Sequence, residues 1–148
     1  MVFDDVEYLP VWLKYWRAQL PDRNLYVLVH GEQPELEAMA AGCNVVRLDR
    51  PAPYANMEFD RWRMISHFAS SLTLMYDSVV YTDVDEILVL DPEAEGDIAS
   101  RLAATTAPAT APFGVEVIHR VAAEPGDLDL TKPILSQRRF CRGSARFS

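Results

Sequence analysis

The stretch Val79-Val80-Tyr81-Thr82-Asp83-Val84-Asp85-Glu86-Ile87-Leu88-Val89-Leu90 decides how this chain is read, because it sets three carboxylates into an otherwise apolar, β-prone run. Side chains alternate faces along a strand. A strand continuing through these residues brings Asp83 and Asp85 to one side and sends Glu86 to the other. Placing two unpartnered carboxylates against an apolar core costs several kcal/mol unless a cation or dense hydrogen bonding compensates. Hard oxygen donors select magnesium, manganese or calcium, and magnesium or manganese take only one or two protein carboxylates. The remaining positions are left for water and phosphate oxygens. Acidic triplets also form solvated loops and helix caps. The apolar runs on both sides of this one favour a metal site.

Working outward, the segments around this run alternate between helix and strand. Leu9, Trp12, Leu13, Trp16 and Leu20 recur at helical spacing, predicting an amphipathic helix over about residues 6 to 19. Leu25 to Val29 reads as a short buried strand ending in His30-Gly31, Pro34 to Ala41 as a helix closed by Gly42, and Asn44 to Leu48 as another extended segment. After Pro51-Ala52-Pro53 a long helix is predicted over about 57 to 76, capped by Asn56, with Ile65, Phe68, Ala69, Leu72 and Tyr76 on one face. Beyond Asp91-Pro92 come a helix at about Ile98 to Ala104 and an extended Phe113 to His119; from Ala122 onward the pattern reads as irregular. Short strands separated by helices imply right-handed crossovers. The predicted fold is therefore α/β, a Rossmann-like, mostly parallel sheet flanked by helices, with ligands outside the carboxyl ends of its strands. Residues 1–121 are assigned to that domain and 122–148 to an irregular basic segment.

Composition narrows the function. With 148 residues, 49% of them hydrophobic, the chain suffices for one domain with a genuine core. No apolar stretch approaches the ~20 residues of a transmembrane segment, and no signal-like segment opens the chain, so a soluble, cytoplasmic protein is expected. Cys43 and Cys141 sit in no CxxC or Cys/His cluster, so they are read as reduced thiols. The net charge is −8, yet five of the 14 basic residues and no acid fall within 132–148. The acidic remainder repels nucleic-acid backbones, which argues against that partner. The basic tail either meets phosphates on a small ligand or offsets the acidic body.

The residues Asp5-Val6-Glu7-Tyr8-Leu9-Pro10-Val11-Trp12-Leu13-Lys14-Tyr15-Trp16, followed by Tyr76-Asp77-Ser78-Val79-Val80-Tyr81-Thr82-Asp83-Val84-Asp85-Glu86, resemble glycosyltransferases of the GT-A fold, family-two-like. The pattern there is an acidic residue, Leu-Pro-x-Trp-Leu, and a hydrophobic strand entering a DxD motif. The resemblance covers about residues 2 to 92. It implies transfer of a sugar from a nucleotide-sugar donor to a hydroxyl of a carbohydrate or glycolipid acceptor, with manganese or magnesium held by the DxD against the diphosphate. It implies that Asp83 lies near the donor ribose and the metal, that Asp85 ligates the metal, and that Asp5, His30 and Gly31 line the nucleotide. Taken residue by residue, the favoured alternatives are that Asp5 caps the first helix and that His30 closes a turn. Arg61 and Arg63, at the start of the helix feeding the DxD, are candidates for a second positive contact to the donor, in competition with Arg138 and Arg139.

The chain departs from the family where only Val2 and Phe3 precede the first acidic residues, and where His119 is the last histidine and falls in a predicted strand. These departures point to the donor-binding half of a truncated enzyme. Two other readings compete: a nucleotide-sugar or metal-binding domain without turnover, and a haloacid-dehalogenase-like phosphatase with the first aspartate as nucleophile.

Overall fold

The computed structural model describes residues 1–91 and 93–143. It is mixed α/β and divides into two compact units, Met1–Thr105 and Thr106–Ser148. The second unit therefore takes in Phe113 to His119, which the sequence reading groups with the first domain.

In the first unit, helix α1 (Tyr8–Arg17) lays Leu9, Leu13 and Trp16 on one buried stripe, as the spacing predicts. Its last turn carries Lys14 and Arg17, which suit the negative end of the helix dipole. Strand β1 (Tyr26–His30) pairs in parallel with β2 (Asn44–Leu48), in a register running from Tyr26 opposite Asn44 to His30 opposite Leu48. Helix α2 (Pro34–Met39) makes the crossover, with proline in its first turn, where a missing N–H costs nothing. Gly42, at φ +91°, turns the chain back into β2. That backbone strains any L side chain, and a Cβ there would also make the Asp22 carboxylate, 2.8 Å away, shift.

On the other side of β1, Val2 forms a single parallel bridge with Val29, its N–H donating to Leu28 O and its carbonyl accepting from His30 N. The first strand is thus one bridge long, and the ladder-bonded parallel sheet has two strands. Among the described residues, β2 pairs only with β1. Val2, Leu9, Leu13, Val27, Val29, Leu36, Ala40 and Val84 form the main core cluster, and Trp16, Leu25 and Ile98 a second one.

Helix α3 (Met57–Leu72) is shorter than predicted, and only Ile65 on it is buried. Phe68 instead meets the Tyr26 ring edge-on at 5.9 Å. Asn56 does not cap it. With φ −103° and ψ 11° it lacks the extended backbone of a capping residue, and its side chain makes no capping bond. Helix α4 (Ile98–Ala103) does carry a cap: Asp97 accepts from Ser100 N at 2.7 Å, while Ser100 Oγ accepts from Asp97 N at 3.0 Å.

The decisive stretch is not a strand. Val79 to Tyr81 and Ile87 to Leu90 join no ladder among the described residues, and between them Glu86 N donates to Asp83 O at 3.1 Å, closing a turn. A strand exists through its ladder, and this segment is held by side chains instead. Val84 enters the main core; Val80, Leu88 and Leu90 pack on the second cluster. Aspartate at the first position of a turn is favoured because its side chain accepts local N–H groups.

In the second unit, β3 (Val115–Ile118) pairs antiparallel with β4 (Phe140–Gly143), and α5 (Ile134–Gln137) precedes β4. The reading of residues beyond Ala122 as irregular is thereby corrected. The β4 run is only four residues long and acquires its state from a partner more than twenty residues away, a pairing no local pattern reveals. No helix among the described residues is long and apolar enough to cross a membrane.

Candidate functional site

Three carboxylates named from the sequence act electrostatically on the same group, the Met1 amine. The amine of Met1 is held below its ordinary range chiefly by burial, with Arg61 acting in the same direction. Asp83, Asp5 and Asp85 oppose this, pulling it upward. Asp5, Asp83, Asp85 and Arg61 therefore all lie within Coulombic reach of that amine, beside the bridge between Val2 and β1.

Each is positioned differently. Asp4, at φ +60°, reverses the chain after the first bridge, a conformation that aspartate tolerates better than most side chains. The reversal lets Asp5 fold back so that its carboxylate accepts from Phe3 N at 2.8 Å. Its side chain is therefore not the cap of α1, whose capping position is Glu7 without a side-chain bond. Asp83 and Asp85 are the first and third residues of the turn. Asp83 is half-buried and Asp85 exposed. Asp83 Oδ1 accepts from the Tyr81 hydroxyl, and Asp83 N donates to Glu86 Oε2 at 3.4 Å. Burial pushes the Tyr81 phenol well above its ordinary range, and the bond to Asp83 adds to the shift.

His30 and Gly31 stand at the end of β1. His30 is 8% exposed, and its Nδ1 lies 3.3 Å from Arg50 Nη1. Burial, then Arg50 and Arg61, hold the imidazole below its usual value. It is thus a buried ring in contact with the Arg50 guanidinium, with Arg61 in electrostatic reach. Gly31 adopts φ +87°, and its N–H donates to Leu48 O at 2.7 Å. Phe3, Gly31, Glu32, Gln33, Arg47, Asp49 and Arg50 line a cleft of about 470 Å³ there. Arg50 stacks over the Phe3 ring at 3.6 Å.

Arg63 is not brought to these residues. Two positions apart on a helix are about 200° apart around its axis, so Arg61 and Arg63 face different ways. Arg61 is held by Glu58 at 2.7 Å and feels Asp83 and Tyr81. Arg63 pairs with Asp60 at 3.8 Å and lines a groove of about 580 Å³ with Leu28, Val46, Leu48, Met64, His67 and Phe68.

Sequence reasoning passed over Tyr81, Phe3 and Arg50. The i, i+2 spacing of Tyr81 and Asp83 was the available signal for the first; nothing local marks the other two. In the second unit the basic tail is engaged locally. Lys132 pairs with Asp129 at 2.9 Å and Arg142 with Glu116 at 2.6 Å. Arg138 is buried and donates to the carbonyls of Gln137 and Gly126. His119 Nε2 lies 2.7 Å from Glu124 O.

Among the described residues no group of three or more His, Cys, Asp or Glu side chains is arranged to enclose a metal ion. The acidic turn presents one half-buried and one exposed carboxylate. Comparison with protein-family models, curated proteins and solved structures gives no match.

Proposed function

We propose that this chain is the donor-binding part of a GT-A-type, Rossmann-like glycosyltransferase that uses manganese or magnesium and a nucleotide-sugar donor. One observation supports the reading: Asp5, Asp83 and Asp85, which the sequence pattern nominates separately, all act electrostatically on the Met1 amine, as does Arg61. Carboxylates that share one neighbourhood favour positive charge there. Asp85 offers its exposed carboxylate to the ion, and Asp83 the oxygen not engaged by Tyr81. The chemistry supplied by the bound ion is Lewis-acid neutralisation of the departing diphosphate. Arg61 adds a positive charge on the same side, tempered by Glu58. The cleft around Gly31 and Arg50 receives the nucleotide. The acceptor is a carbohydrate or glycolipid hydroxyl, and the setting cytoplasmic.

The test is manganese-dependent release of nucleoside diphosphate from a panel of sugar donors, with Asp83→Asn and Asp85→Asn compared with the unaltered chain. Metal-dependent release abolished by either substitution supports the proposal. Tight nucleotide-sugar binding without turnover assigns a binding domain, and phosphate release from a simple phosphomonoester assigns a phosphatase. Manganese and nucleotide affinity untouched by both substitutions ends the reading.

A further inference from the structure

We propose that His30 is a positioning residue for the cleft beyond β1: the uncharged ring holds Arg50 over Phe3, and a proton on that ring releases it. Chemistry decides the direction of one contact. Arg50 Nη1 and His30 Nδ1 stand 3.3 Å apart. A guanidinium carries five donors and no acceptor, so Nδ1 is the acceptor. The ring is therefore uncharged, with its proton on Nε2. Once protonated, an imidazole donates from both nitrogens. The contact then sets donor against donor and charge against charge.

His30 is the fixed member of this pair and Arg50 the movable one. The ring is 8% exposed, and the His30 backbone is tied into the sheet, its N–H donating to Val2 O at 3.0 Å. Arg50 is exposed and, among the described residues, joins no ion pair. Its guanidinium rests on the imidazole and on the Phe3 ring, 3.6 Å away. Arg47, on the same cleft, is instead spent on Glu37 through two contacts. The charges around the ring come from two directions. Burial, then Arg50 from beyond β2 and Arg61 from α3, favour the uncharged form; the Asp49 backbone and the Glu58 carboxylate favour the proton. Assigning the nucleotide to this cleft rests on the proposed function above; the coupling of ring to guanidinium does not.

The experiment is proton and nitrogen magnetic resonance of the full chain against pH, over the range where far-ultraviolet circular dichroism is constant. It follows the His30 imidazole, the Phe3 ring protons and the Arg50 Nε–H. All three are expected to shift with one midpoint, below 6.5. His30→Gln still offers an acceptor oxygen but does not titrate, and is expected to hold the Phe3 and Arg50 signals constant. Those signals staying still while His30 titrates, or moving equally in His30→Gln, overturns the proposal. Equilibrium dialysis of adenosine and uridine diphosphates, without metal, adds a second readout. Affinity is expected to fall about two- to fivefold as His30 gains its proton, the worth of one exposed cation–π contact, and to stay level in His30→Gln. Coupled resonances with no nucleotide bound at any pH uphold the role of His30 and remove the nucleotide from the cleft.

Discussion

Trp12 and Thr82, seventy residues apart, are joined by an indole N–H to hydroxyl bond of 2.9 Å. This bond ties the first helix to the segment entering the acidic turn, in place of a strand ladder. Trp12→Phe keeps most of the ring and deletes the donor. The first unit is expected to lose about 1 kcal/mol in urea unfolding, the ordinary net value of one hydrogen bond. No change in the midpoint would show that the bond holds nothing.

Leu36, on a crossover helix of only six residues, is fully buried in the main core. Leu36→Ala removes three methylene-sized groups that little else can replace. A loss of about 2–5 kcal/mol is expected, measured as a shift of the urea midpoint at unchanged slope. A loss under 1 kcal/mol would mean that the crossover packs elsewhere.

His30 is buried, and burial together with Arg50 and Arg61 lowers its pKa from 6.5. The unfolded chain then binds a proton at higher pH than the folded one. The stability contributed by neutral His30 is complete above pH 6.5 and is lost as pH falls through the lower, folded value. Proton magnetic resonance of the imidazole is expected to show a midpoint below 6.5, and His30→Gln to flatten this part of the stability profile.

Gly31 holds φ +87° with Arg50 Cβ in the way of any side chain, 3.3 Å from where a Cβ would stand. Gly31→Ala is expected to cost about 1–2 kcal/mol for the left-handed backbone alone. It also displaces Arg50, one of the charges that depress the neighbouring imidazole. The His30 midpoint is therefore expected to rise in this variant, a readout that a general loss of stability does not produce.

In the second unit, Asp129 accepts from Thr131 and pairs with Lys132, and these bonds hold its carboxyl down to about 2. A depressed acid stabilises above its unfolded value, 3.8, and that contribution disappears as pH falls toward 2. Far-ultraviolet circular dichroism of the chain against pH is expected to show a component lost in this window. Asp129→Asn should remove the component.

Much of the first unit is legible in the sequence because its signals are local. The spacing of Leu9, Leu13 and Trp16 marks α1, the run Asn44 to Leu48 coincides with β2, and Pro34 and Gly42 bracket α2. The acidic stretch misleads because its β-prone residues meet no neighbouring backbone; a strand is a property of two segments, and one segment can display only the propensity. The same reason hides β4, whose partner is β3. At the candidate site, the aspartates are visible as a motif. Choosing Arg61 over Arg63 requires the rotation of α3 against the acidic turn, and finding Arg50 above Phe3 requires the return of the chain after β2.

The outer side of β2 has a solubility consequence. Its amides and carbonyls on that side are a template on which an extended segment of another molecule can zip. The guard is Arg47, near the end of the strand and pinned to Glu37 through two guanidinium contacts. An ion pair fixed beside that border must be broken or buried by an incoming strand, a cost of the kind that deters edge-to-edge joining.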